Sequence, residues 1–184
     1  MFRIRILLAL IFVPPHAFAF EFLTSNSNPV SWNSTPIEYS FAPKTPREMK
    51  LAAIGVLSEY EQASHGKLKF KLVKYEWNTY QIAFVYSRLF QDFPSPAVTR
   101  PIYGDRFISA MIIVNGQSYK WHRGAPAADR PNFDCSYDAI LLHEVGHALG
   151  LGHSENPDAA MYARLHSFLN SDDIAGLLAM YGTP

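Results

Sequence analysis

The run His143-Glu144-Val145-Gly146-His147-Ala148-Leu149-Gly150-Leu151-Gly152-His153 constrains this chain more than any other stretch of it. Its first two histidines are four positions apart, so on an α-helix they share one face and can reach a common ion. Glu144 is rotated about 100° from His143 around the same helix, close enough to stand beside the ion without binding it. Gly150 permits the left-handed backbone that ends a helix. The chain then reverses, and His153 approaches from a third direction. Three neutral imidazoles leave one position of a tetrahedral zinc open to water, the arrangement of a catalytic ion rather than a structural one. Zinc acidifies that water, and a neighbouring carboxylate accepts its proton. Two histidines alone would more often be packing or surface residues. Five fixed positions, each with a mechanical reason, point instead to one catalytic Zn2+ with His143, His147 and His153 as ligands and Glu144 as general base.

The chain opens on a different pattern. Arg3 and Arg5 precede an apolar run, Ile6 to Val13. Pro14 and Pro15 break it, and Ala17-Phe18-Ala19 has the small-residue spacing of a cleavage site. This predicts a secretory signal peptide over residues 1–19, cut after Ala19. The run is too short for a membrane span, and no later segment is long and apolar enough for one. Losing Arg3 and Arg5 tips a balanced set of 16 basic and 16 acidic residues slightly to the acidic side. With no basic stripe, nucleic acid is not an expected partner. Cys135 is the only cysteine, so no internal disulfide can form, and the fold of an exported chain must rest on its core, its metal or both.

Residues 20–31 are polar and weakly patterned and are expected to be a short leader or mobile segment, leaving 32–184 as one domain. Alternation predicts strands at Ile37–Phe41, Leu68–Val73, Ile82–Tyr86 and Phe107–Val114. Helices are expected from Pro46 to Ser64, stopped by Gly66, from a Ser136 cap to Leu149, and from Ile174 to Met180 behind a Ser171-Asp172-Asp173 cap. Residues 87–106 read as a long loop, as do 124–131 and 154–170. The order gives an α+β fold with one mixed sheet.

The histidine run fits the metzincin signature H-E-x-x-H-x-x-G-x-x-H. Ser154 after the third histidine, and Asp158-Ala159-Ala160-Met161-Tyr162 beyond it, resemble the matrixin branch, as do Leu169 to Gly182 and, more loosely, Ala97 to Asn115 and Ser31 to Ala42. The resemblance implies a metzincin-like catalytic domain: a twisted mixed sheet with an edge strand over the cleft, a zinc-binding helix and a C-terminal helix. It makes Met161 the Met-turn residue below the imidazoles. It makes Phe107–Val114 the edge strand that pairs with an extended peptide, and it has Asp172 and Asp173 brace the Met-turn and receive the new N-terminus. Ala163-Arg164-Leu165 stands where matrixins usually carry the Pro and Tyr that wall the S1′ pocket. Asp105, His122, Asp129 and Asp134 are too scattered to suggest a second metal site, and Cys135 is expected to be a buried core residue. His65, His122 and His166 read as surface or loop histidines, with His166 in the segment expected to border S1′.

The implied function is a secreted zinc-dependent endopeptidase, extracellular or periplasmic, acting as a monomer on protein or peptide substrates. Two alternatives remain open on the sequence: a secreted zinc-containing binding protein without turnover, and a zinc hydrolase of a non-peptide amide. The presence of Glu144 disfavours the first, because binding alone needs no base.

Overall fold

The computed structural model describes residues 19–76, 81–89, 95–125 and 134–182. The expected signal segment lies outside the described residues except for Ala19, as does most of the 124–131 stretch. Three short strands come first, β1 (Phe20–Phe22), β2 (Thr24–Ser25) and β3 (Asn28–Pro29), followed by β4 (Ile37–Phe41). Next are α1 (Arg47–Ala63), β5 (Phe70–Leu72), β6 (Ile82–Ser87), β7 (Ala97–Tyr103) and β8 (Phe107–Asn115). The rest of the chain forms β9 (Lys120–His122), β10 (Asp134–Ser136), α2 (Tyr137–Ala148), β11 (Leu151–Ser154) and α3 (Ser171–Tyr181).

The main sheet has five strands in the order β5-β4-β6-β8-β7. β4 pairs parallel with β5 and β6, and β6 pairs parallel with β8, while β7 is antiparallel to β8. The central strand β6 reads Ile-Ala-Phe-Val, a nearly unbroken apolar run, as a parallel strand enclosed on both sides requires. α1 buries Met49, Ala52, Ala53, Val56, Leu57 and Tyr60, the spacing of a single helical face, and packs on α2. It ends where His65 (φ 51°) and Gly66 (φ 74°) turn the chain back. One continuous core joins this face to Ile37, Phe84, Ile112, Leu141, Val145 and Met161.

Three expectations are corrected. Residues 87–106 are not one loop, because Ala97–Tyr103 forms β7. Pro101 interrupts the strand signal, since it has no N–H to give, but an edge strand tolerates it. It follows that Phe107–Val114 is not the edge strand: β8 lies between β6 and β7 and is hydrogen-bonded to both. The edge over the cleft is β7. The last helix starts at Ser171, and Asn170 caps it. The Asn170 side chain accepts from the N–H groups of Asp172 and Asp173, and Asp173 Oδ2 accepts from the Asn170 N–H, a reciprocal capping box.

The segment 20–31 is seated on the domain. β1 pairs antiparallel with β11, the Leu23 N–H donates to Gly150 O at 2.8 Å, and Val30 is fully buried.

Candidate metal centre

Helix α2 brings the first two histidines together. Ser136 caps it, accepting from the Ala139 N–H, so the helix begins six residues ahead of His143, at Tyr137, with its register set. Its far end is held by side chains from distant parts of the chain. Trp32 Nε1 donates to Ala148 O at 2.9 Å, and the Tyr181 hydroxyl donates to Leu149 O at 2.7 Å. These satisfy carbonyls that a helix end would otherwise leave without partners. Gly150 follows with φ +100°, and β11 returns His153 toward the helix.

His143, His147 and His153 each present a ligand atom within 4.8 Å of the others. His143 and His147 are half-buried and His153 is exposed. The histidine Nδ1 atoms at 143 and 147 lie 2.8 Å from the carbonyls of Ala160 and Leu151. A carbonyl accepts only, so each Nδ1 carries the proton and each Nε2 presents a lone pair. The two Nε2 atoms are 3.1 Å apart. Two lone pairs at that distance repel unless a cation lies between them, and tetrahedral zinc with Zn–N bonds near 2.05 Å spaces its ligands by roughly 3.3 Å. The donor set therefore fits a zinc ion. Burial, opposed by the Ala160 hydrogen bond and Asp173, lowers His143 from its ordinary value, and burial and the neighbouring His143 push His147 down to about 4. Both are neutral imidazoles near pH 7, the form that ligates.

Glu144 is buried beside them, 9% exposed. Burial raises its carboxyl above the usual range, while hydrogen bonds from Thr99 and the charge of His153 act in the opposite direction. The two residues that sequence reasoning missed are at this wall. Thr99 of β7 contacts Glu144 directly, and Leu23 of the N-terminal segment lines the same cleft. That cleft, about 390 Å³, is bounded by Ala97, Val98, Thr99 and Pro101 on one side and by the three histidines and Glu144 on the other. The β-branched and aromatic residues Val98, Thr99, Ile102 and Tyr103 were the signal for this strand, and Pro101 obscured it. Nothing local marks Leu23.

Met161 is buried, and its N–H and that of Ala160 donate to Asp173 Oδ1 and Oδ2 at 3.1 and 2.8 Å. Asp172 accepts from the Ser154 hydroxyl at 2.6 Å and from the Ala19 N–H at 2.9 Å. Beyond the turn, Ala163 and Arg164 are exposed and Leu165 packs partly on the core. His166 Nε2 lies 2.8 Å from Pro157 O. Of the scattered acidic and histidine residues, His122 and Asp134 approach to 3.9 Å across the parallel β9–β10 pair. Asp105 lies in the turn between β7 and β8, and Asp129 falls outside the described residues. Among the described residues, the histidine triad is the group of three or more potential ligands that converges. Cys135 is buried.

A family model described as Matrixin matches residues 31–182. Metalloendoproteinase 4-MMP of Arabidopsis thaliana is 47% identical over 51 residues, 25% of this chain and 15% of that protein. Macrophage metalloelastase of Oryctolagus cuniculus is 47% identical over 51 residues, 24% of this chain and 11% of that protein. Matrix metalloproteinase-19 of Homo sapiens is 52% identical over 48 residues, 23% of this chain and 9% of that protein. The chain thus matches well under a fifth of each relative's own length.

Proposed function

This chain belongs to the matrixin family, and from that premise we propose that it is an exported zinc-dependent endopeptidase. His143, His147 and His153 hold the metal, and Glu144 is the general base. The observation that carries the reading is the convergence of three histidine ligand atoms within 4.8 Å in a cleft that Glu144 also lines. Matrixins are zinc-dependent peptidases. Bound zinc supplies a Lewis acid that polarises a carbonyl and acidifies a water.

The chain's own residues do the rest. A substrate lies extended along the outer edge of β7 and pairs with it through backbone hydrogen bonds. Leu23 and the wall from Ala97 to Pro101 bound the cleft it enters. Glu144 takes a proton from the attacking water and delivers it to the leaving amine nitrogen, which breaks the peptide bond without leaving a charged amide anion. The Ala160 and Leu151 carbonyls fix the imidazole tautomers, and Asp173 holds the turn that carries Ala160.

Export is proposed from Arg3, Arg5, the Ile6–Val13 run and Ala17-Phe18-Ala19, with 1–19 removed, the remainder extracellular or periplasmic, and 32–184 as the catalytic domain. The test is digestion of a peptide library with zinc or with chelator, read by mass spectrometry together with the protein's own N-terminus. Zinc-dependent cleavage is expected. A library left intact by zinc-loaded protein, across broad sequence coverage, contradicts the reading.

A further inference from the structure

The Thr99 hydroxyl oxygen is 2.6 Å from Glu144 Oε2 and 2.8 Å from Glu144 backbone O. A threonine hydroxyl has one proton to give. The shorter distance lies in the range of a charge-assisted O–H···O⁻ bond, and a carboxylate is the stronger acceptor, so the proton is committed to Oε2. Bulk water is largely excluded as a competitor, because Glu144 is 9% exposed.

The anchor itself is rigid. Thr99 lies in the middle of β7, opposite Ile112 of β8 in an antiparallel register that is regular from Ala97 to Ile102, and Ile112 is fully buried. A β-branched side chain has few χ1 options. A glutamate has three rotatable side-chain bonds, and its carboxylate takes hydrogen bonds from Thr99, through both the hydroxyl and the backbone. Fixing a flexible reacting group in advance removes orientational freedom that would otherwise raise the barrier.

We propose that Thr99 is a positioning residue for the reaction, holding Glu144 Oε2 so that the base and the peptide-docking strand are one mechanical unit. This rests on the reading of the site as a peptidase centre. A threonine that only joined strand to helix would show its loss in stability and zinc content. A positioning residue shows it in turnover.

The experiment compares full-length zinc-loaded wild type, Thr99→Ser and Thr99→Val on one peptide that wild type cleaves, with zinc measured in each. Crystal structures of wild type and Thr99→Val add a readout independent of activity. Loss of a hydrogen bond to a charged group predicts a kcat about 10- to 100-fold lower in Thr99→Val. Its KM is expected within about twofold of wild type, as uniform binding is untouched. Thr99→Ser is expected to keep kcat within about threefold, because the hydroxyl remains. Zinc content is expected to be equal throughout, with Glu144 in one rotamer in wild type and in several in Thr99→Val. Thr99→Ala replaces the valine variant if that one does not fold. Undiminished kcat in the hydroxyl-free variant overturns the inference alone. Equal losses in the serine and hydroxyl-free variants, or losses that follow zinc content, also overturn it. Wild type that cleaves nothing overturns the peptidase reading and this inference together.

Discussion

Gly146 of α2 lies directly against the Met161 thioether: a Cβ at position 146 would overlap Met161 Sδ and come within 2.8 Å of the Tyr60 hydroxyl oxygen. Tyr60 is fully buried and donates to Leu142 O at 2.9 Å, so it cannot move aside cheaply. Helix α2 and the turn at Met161 are therefore packed to backbone contact at the residue just before His147. Gly146→Ala adds a favourable helix former on propensity alone, yet it is expected to destabilise by about 1–3 kcal/mol through overpacking. Thermal unfolding and zinc affinity measure this. A variant as stable as wild type with unaltered zinc affinity would mean the two elements are not closely packed.

Asp173 closes the same turn from the other side. Removing its carboxylate leaves the buried N–H groups of Ala160 and Met161 without acceptors, at about 1–3 kcal/mol each. Asp173→Ala is expected to lower unfolding stability in urea by about 3 kcal/mol and to weaken zinc binding, since Ala160 O orients His143. A loss under about 0.5 kcal/mol would remove Asp173 from the brace.

The start of α2 supplies a pH dependence. Burial alone would raise the Asp138 carboxyl, but the Arg123 side chain and the Gly124 N–H outweigh it and lower it below its ordinary value of 3.8. A depressed folded-state pKa means stability that is present above the unfolded value and is lost as pH falls through the folded one. Asp138→Asn is expected to be about 0.5–1 kcal/mol less stable at pH 7, a modest figure because both partners are partly exposed. The gap should close as the pH falls below 3.8. A gap that persists undiminished at pH 2 would rule out this linkage.

Burial, with the charge of Asp134 second, pushes the Cys135 thiol up to about 11 from 9.0. The thiolate is the reactive form, so at pH 8 native protein should be alkylated at least about 100-fold more slowly than protein unfolded in urea. Equal rates would place Cys135 in an open, activated environment instead of the core.

The chemistry of this site was legible where it is local. The spacing of His143, Glu144, His147 and His153 and the glycine at 150 are read within one helix and one turn, and the family resemblance supplied Met161, Asp172 and Asp173. The parts that depend on distant partners were not legible. Thr99 acts on Glu144 from 45 positions away, and Pro101 hid its strand. That omission also misplaced the cleft edge on β8. Asn170 and Ser171 are equally good caps by composition. The choice of Asn170 leaves Asp172 and Asp173 inside the first turn, where their carboxylates reach Ala19, Ser154, Ala160 and Met161. The polar run 20–31 shows little pattern of its own because β1 takes its register from β11, while β2 and β3 pair with each other over only two residues each.

The central claim is that Glu144 moves protons at a metal held by the three histidines. It is tested most directly by the turnover rate of Glu144→Ala against wild type on one cleaved peptide, at equal zinc content. The expected result is full zinc occupancy in the variant with kcat lower by at least about 100-fold. Cleavage by Glu144→Ala at the wild-type rate would contradict the account.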